Sequence, residues 1–72
     1  METLQLNKKL FKKKTVRQAV KAYSEFGAFG IEESGDYLMV RVEAEDTERE
    51  RMLANEFGNY LLARVIEETT TL

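Results

Sequence analysis

The sequence predicts a small α+β domain, a two-layer β-α-β-β-α sandwich. Its three-stranded antiparallel sheet has the strand order 1-3-2 and carries two helices on one face. Polar and apolar residues alternate in three segments, which indicates strands, and apolar residues recur at helical spacing in two others. A right-handed crossover through the first helix makes the first two strands parallel, so the third strand fits between them. Residues 1–72 are expected to form one such domain.

The first strand is predicted at residues 2–7, which alternate polar and apolar side chains. Because side chains in a strand point to opposite faces in turn, Leu4 and Leu6 are expected to face the interior. Leu10 and Phe11 are expected to continue this apolar contact after the strand ends.

The first helix is predicted at residues 16–26. Thr15 and Gln18 have the spacing of a capping box, in which the Thr hydroxyl accepts from the Gln backbone N–H and the Gln side chain reaches back. An apolar stripe follows at helical spacing: Val16, Ala19, Val20, Tyr23 and Phe26. Gly27 suits the left-handed residue that commonly ends a helix, so the helix is expected to stop there.

Residues 28–43 are predicted to form a β-hairpin. The segment Glu33-Ser34-Gly35-Asp36 supplies the Gly and small polar residues that favour a tight turn. Before this turn, Phe29 and Ile31 alternate with small or polar residues. After it, Leu38, Val40 and Val42 alternate with Tyr37, Met39 and Arg41. We expect Leu38, Val40 and Val42 to face the helices. Tyr37, Met39 and Arg41 are expected to lie on the open face of the sheet.

The second helix is predicted at residues 48–67. Thr47 and Glu50 form a second capping-box pattern, and acidic residues in the first turn interact favourably with the helix dipole. The main apolar stripe is Leu53, Phe57, Tyr60, Leu61 and Val65, and Met52, Leu62 and Ile66 widen it on one flank. Gly58 is expected to allow close packing or to mark a kink, and residues 68–72 to form a frayed tail.

The net charge of −2 conceals an asymmetry along the chain. Residues 1–21 carry seven basic side chains and one acidic one, whereas the rest carries four arginines and twelve carboxylates. The cations nearest the start of the first helix are Lys12, Lys13, Lys14 and Arg17. Free N–H groups at a helix start favour anions, so residues 8–21 could bind phosphate, an acidic protein or nucleic acid. A solvated basic face is the favoured interpretation, and nucleic acid is the least favoured ligand, because no recognised nucleic-acid motif accompanies the lysines.

The residue types needed for common catalytic and metal sites are missing. The chain has no Cys and no His, which excludes disulfides and thiolate zinc sites and removes the commonest general base. Carboxylates crowd the start of the second helix without the spacing of a calcium loop: Glu43, Glu45, Asp46, Glu48 and Glu50. Helix capping and solubility account for them better. We therefore expect a protein that is not an enzyme and that holds no metal or cofactor.

The expected location is the cytoplasm. No apolar run in the sequence reaches the length of a signal-peptide core or of a membrane span. No contact with a membrane is therefore expected.

Two groups of residues favour contact with another protein. They are Tyr37, Met39 and Arg41 on the open sheet face, and Met52, Leu62 and Ile66 on the second helix. Tyr, Met and Arg are enriched at protein interfaces, and a core this small gains stability from a partner subunit. We expect a protein partner or self-association, a homodimer included. The alternative interpretation of Tyr37 and Met39 is that they are scattered surface apolar residues, which are common.

Several segments resemble the HxsD family, a small component of the His-Xaa-Ser peptide-maturation system. They are Leu6-Asn7-Lys8-Lys9-Leu10-Phe11, the Ala19–Phe26 helix with its Ala-x-x-x-Tyr spacing, Gly35-Asp36-Tyr37 and Glu56-Phe57-Gly58-Asn59-Tyr60-Leu61-Leu62. In that system the family accompanies radical SAM proteins and a peptide with His-Xaa-Ser repeats. The resemblance implies an accessory protein that works through protein contacts, and it offers no catalytic residue to carry over.

Overall fold

A computed structural model describes residues 1–70. Within this range the order is β1 (Glu2–Asn7), α1 (Lys13–Tyr23), β2 (Ala28–Ser34), β3 (Tyr37–Glu43) and α2 (Thr47–Thr70). The sheet has the order β1-β3-β2, and both neighbouring pairs are antiparallel. The predicted fold class and strand order are therefore confirmed. Neither helix in the described range is long and apolar enough to cross a membrane.

The register of the sheet aligns the apolar side chains in rows beneath the helices. Val40 pairs with Leu4 of β1 on one side and with Ile31 of β2 on the other. The inward residues of β3 are fully buried: Leu38, Val40 and Val42. Leu6 is also buried, as predicted, whereas Leu4 and Ile31 are half-buried against the core. The central strand thus contributes the deepest layer of the sheet.

The start of α1 differs from the prediction. The helix begins at Lys13, and Lys12 takes the N-cap position without a capping side-chain hydrogen bond. The backbone N–H of Val16 donates to the Lys12 carbonyl at 3.0 Å, which places Thr15 inside the first turn. The Thr15 hydroxyl donates instead to Oε2 of Glu68, 2.6 Å away. The predicted Thr15–Gln18 capping box is wrong, because the helix starts too early for Thr15 to cap it.

The end of α1 also differs from the prediction. The helix ends at Tyr23, and Phe26 is 62% exposed rather than part of the buried stripe. Gly27 does not have the predicted left-handed conformation, since Gly35 is the described residue with a positive φ. A Cβ at Gly27 would lie 2.6 Å from both the Glu43 carbonyl oxygen and Cδ2 of Leu53. Gly27 is therefore suited to a close approach between the end of the sheet and α2.

The predicted hairpin is present, with a two-residue turn at Gly35 and Asp36. Gly35 has φ of 59°, the positive value that a type II′ turn requires at its first central position. The Asp36 carbonyl accepts a hydrogen bond from the Lys8 backbone N–H at 3.0 Å. This bond joins the turn to the segment that follows β1. In that segment, Phe11 packs against the core as predicted, whereas Leu10 is 61% exposed.

Asp46, rather than Thr47, caps α2. Its Oδ1 accepts from the Arg49 backbone N–H at 2.8 Å, and the helix begins at the next residue. The Glu50 carboxylate accepts from the Ala44 backbone N–H at 3.1 Å and forms an ion pair with the Met1 ammonium group. The predicted Thr47–Glu50 capping box is therefore wrong: the cap lies one residue earlier, and Glu50 binds groups outside the helix.

The inner face of α2 completes the core. The buried residues of this face are Glu50, Leu53, Ala54, Phe57 and Leu61. Tyr23 contacts the rings of Phe57 and Tyr60, with centroids 5.9 Å and 5.4 Å away, and the Phe29 ring lies 4.9 Å from Phe57. These aromatic residues join both helices to β2.

The rest of α2 departs from the prediction at two points. A Cβ at Gly58 would meet nothing within 4 Å, so close packing does not explain this glycine. The helix continues past the predicted end at residue 67 to Thr70. The tail predicted to be frayed is therefore helical as far as Thr70, and residues 71–72 lie outside the described range.

Candidate interaction surfaces

Tyr37, Met39 and Arg41 lie in one row along the outer side of β3. They alternate with three buried residues of the same strand, so they point away from the helices. Tyr37 is 38% exposed, Arg41 is exposed and Met39 is half-buried. We call this row, with its neighbours on β1 and β2, the open sheet face. As predicted, the helices leave it uncovered.

Polar and small residues flank the row on both sides. Tyr37 lies between Asn7 and Ser34, Met39 between Gln5 and Glu32, and Arg41 between Thr3 and Gly30. The open sheet face is thus a polar surface with an aromatic ring and a thioether along its centre. Such a surface suits a contact that combines hydrogen bonds with a small apolar centre.

The Arg41 guanidinium lies across the neighbouring strand. A Cβ at Gly30 would come within 2.7 Å of its Nη2 atom, so the glycine provides the space that this side chain occupies. Beside it is an open hollow of about 210 Å³, lined by Ala28, Phe29, Gly30, Arg41 and Glu43. Sequence reasoning did not identify the role of Gly30, because it depends on a cross-strand neighbour.

The second predicted group lies on the outer face of α2. Met52, Leu62 and Ile66 are 57%, 52% and 59% exposed. The sequence interpretation placed them on a flank of the buried stripe. At 100° per residue they lie instead roughly opposite Phe57 and the other buried residues of the helix. The helix therefore carries apolar side chains on two opposite faces.

Asn55 and Asn59 complete a regular row on this outer face, and sequence reasoning missed both. With Met52, Leu62 and Ile66 they are spaced alternately by three and four residues, and both asparagines are exposed. We call these five residues the α2 seam. The 3-4 alternation was the signal that could have identified it.

Charged residues beside the α2 seam differ in their pairing. Arg49 forms ion pairs with Glu45 and Asp46, at 3.3 Å and 3.7 Å. Arg51 and Glu56, which flank the seam on opposite sides, form no ion pair within residues 1–70. Their charges therefore remain available to a neighbouring molecule.

The predicted basic residues do not form one site. The Lys13 ammonium group bonds to Oε1 of Glu33 at 2.9 Å, and this bond lowers the pKa of the Glu33 carboxyl. Arg17 is exposed on the outer side of α1. Lys12 and Lys14, by contrast, line an open hollow together with Arg64.

This basic hollow has a volume of about 500 Å³ and is lined by Lys12, Lys14, Thr15, Gln18, Arg64 and Glu68. Its carboxylate, Glu68, accepts the Thr15 hydroxyl bond and offsets part of the positive charge. The guanidinium of Arg64 lies 3.4 Å from Oε1 of Gln18. Sequence reasoning missed Arg64, because it lies 46 residues from Gln18 along the chain.

Acidic residues gather at the other end of α1. A second open hollow of about 500 Å³ has carboxylates among its lining residues: Glu25, Glu43 and Glu45. In the described part of the chain, no three acidic side chains are grouped closely enough to hold a metal ion. Carboxylates thus line this hollow at the end of α1, whereas two lysines and an arginine line the basic hollow at its start.

Comparisons with known proteins add no relative. A scan against family models, a search of curated proteins and a search of solved structures each find no match to this chain.

Proposed function

We propose that this protein is a non-enzymatic accessory domain that binds a protein partner through its open sheet face. The observation that carries the proposal is the row of Tyr37, Met39 and Arg41 along the central strand, on the face that the helices leave free. Tyr and Arg supply much of the binding energy at protein interfaces, and Met adapts its shape to the partner.

The resemblance to the HxsD family suggests where such a partner belongs. On that basis we propose a role in a radical-SAM-associated peptide-maturation system, with the cytoplasmic location expected from the sequence. The candidate partners are then the radical SAM protein of that system and a peptide with His-Xaa-Ser repeats. Adjacent genes for both would support this assignment.

A binding experiment on matched variants tests the proposal. The purified protein is titrated with a His-Xaa-Ser repeat peptide and with the neighbouring radical SAM protein, and binding is followed by calorimetry. We expect saturable binding to at least one, lost in a Tyr37→Ala/Arg41→Ala double variant and retained in Met52→Ala. An absence of binding to both, or binding that the double variant leaves intact, would contradict the proposal.

Anion binding by residues 8–21 is the alternative, and the basic hollow is the feature that favours it. Lys12, Lys14 and Arg64 converge there near the uncapped start of α1. We rank it second because Glu68 lies in the same hollow and Glu33 already pairs with Lys13. Titration with phosphate and oligonucleotides tests this alternative. Phosphate contacts make the affinity fall steeply with salt concentration. Lys14→Gln should weaken such binding.

A further inference from the structure

We propose that α2 pairs with the α2 helix of a second copy of this chain, in parallel and in register, through the α2 seam. This surface is distinct from the open sheet face. The alternating spacing of three and four residues is that of the a and d positions of a coiled coil. At 1.5 Å per residue, the seam from Met52 to Ile66 is about 21 Å long.

The residue types along the seam favour a second copy over an unrelated partner. In a parallel pair in register, each seam residue meets the same residue of the other chain. Met52, Leu62 and Ile66 then meet apolar side chains. Asn55 and Asn59 meet amides, and each amide can both donate and accept a hydrogen bond. An Asn at an a position, here Asn59, specifies register and oligomer state in coiled coils, at a cost in stability.

The flanking charges favour the parallel orientation. In the heptad that places Met52 at position a, Arg51 occupies position g and Glu56 occupies the following position e. In a parallel pair these positions face each other across the interface, so Arg51 of each copy meets Glu56 of the other. An antiparallel pair brings g against g and e against e, which would remove this pairing. Neither residue has an ion-pair partner within residues 1–70 of its own chain.

The fold leaves room for this pairing. The seam lies opposite the buried face of α2, so the sheet and α1 of each copy would lie on the outside of the pair. Gly58 and Ala63 occupy the other facing g and e positions, and a Cβ at Gly58 meets nothing within 4 Å. Small residues at these positions let the two helices approach closely.

Glu48 limits the seam at its amino-terminal end. It occupies the d position that precedes Met52, so two Glu48 carboxylates would face each other in the pair. The seam therefore covers only about two heptads, and we expect a weak dimer whose population depends on concentration. Removing this charge with Glu48→Leu should strengthen the dimer.

Sedimentation equilibrium tests for the dimer. The mass of the full chain should rise with concentration from 8.4 kDa toward twice that value. Leu62→Glu should keep it monomeric at every concentration, whereas the matched control Met39→Glu on the open sheet face should not change the association. Circular dichroism verifies that both variants are folded. A constant mass of 8.4 kDa for the wild-type chain would overturn the proposal.

A cysteine experiment tests the orientation, and the absence of native Cys makes it clean. On mild oxidation, Asn55→Cys should form a disulfide-linked dimer several-fold faster than Arg17→Cys on the exposed side of α1. Equal rates would overturn the proposal.

Arg51→Glu should weaken association and Arg51→Glu/Glu56→Arg should restore it. Partner binding that is lost with Tyr37→Ala while the dimer persists would separate this inference from the proposed function.

Discussion

The two helices pack on the same sheet but differ in what they present to solvent. α1 buries Thr15, Val16 and Ala19, and its exposed side chains include Lys14, Arg17, Gln18 and Lys21. α2 also buries one face, yet its outer face carries the α2 seam. The pattern of α1 is that of an ordinary surface helix, with one buried apolar face and one exposed polar face. Only half of the apolar residues of α2 pack in the core. The fold of a single copy therefore does not explain why the others are apolar.

The largest expected effect is the difference in stability loss between substitutions on the inner and outer faces of α2. Phe57 is fully buried and contacts the rings of Tyr23 and Phe29, so Phe57→Ala should destabilise the protein by about 3–5 kcal/mol. Met52→Ala removes an exposed side chain and should change stability by less than about 0.5 kcal/mol at low concentration. Urea unfolding of both variants measures the difference. Similar losses would mean that the two faces of α2 are not distinct.

A smaller effect on stability is expected at Gly27, where the chain between α1 and β2 lies close to α2. Gly27→Ala places a Cβ against the Glu43 carbonyl and Leu53, and should cost about 1–3 kcal/mol. Gly58→Ala, within α2 and facing open space, should stabilise by up to about 1 kcal/mol, since Ala is the better helix former. Thermal unfolding of this pair should show shifts of opposite sign. A shift of the same sign in both would contradict the packing described for Gly27.

The polar link between the two helices should have an effect near 1 kcal/mol. Thr15→Val removes the hydroxyl that donates to Glu68 while keeping the side-chain volume. A double-mutant cycle with Glu68→Ala, which removes the acceptor, measures the coupling between the two residues. We expect clear coupling between them. Strict additivity would contradict a direct interaction between Thr15 and Glu68.

The smallest expected effect is the pH dependence of the Glu50 contact at the start of α2. The Met1 ammonium group and the Ala44 N–H lower the pKa of Glu50, while Glu50 raises the pKa of the Met1 amine. A lowered carboxyl pKa adds stability that is lost as pH falls below its ordinary value of 4.5. A raised amine pKa adds stability that is lost as pH rises above its ordinary value of 8.0.

Glu50→Gln tests this contact, because its amide oxygen can still accept from Ala44 but does not pair with the ammonium group. The stability difference between wild type and variant should be greatest between those two pH values and shrink on both sides. Denaturant unfolding across the pH range measures it. A difference that does not vary with pH would rule out the ion pair as its source.

The strands were predictable because their signal is local and repeated. Alternation over six or seven residues determined which side chains of β1 and β3 face the core, and burial of Leu6 and Val40 agrees. The helix starts were less predictable, because a Thr followed three residues later by Gln or Glu does not reveal which residue begins the helix. Lys12, rather than Thr15, takes the N-cap position of α1, and Asp46, rather than Thr47, caps α2.

The candidate surfaces were predictable only where the sequence signal is local. Tyr37, Met39 and Arg41 followed from strand alternation, and the structure places them together. Arg64 in the basic hollow did not follow, nor did the bond from Thr15 to Glu68, which joins residues 53 positions apart. No local pattern reports contacts at that distance along the chain. The α2 seam was missed because it shares its helix with a stronger, buried stripe.

The strand order has a consequence for the rate at which this chain folds. β3 meets β2 across a two-residue turn, but it meets β1 only after residues 8–36 have been brought back on themselves. Closing the longer loop costs more entropy, so the hairpin should form before β1 adds to its edge. Stopped-flow kinetics would then show Leu6→Ala mainly accelerating unfolding, whereas Gly35→Ala would slow refolding. Of the three strands, the first along the chain is therefore expected to be the last to join the sheet.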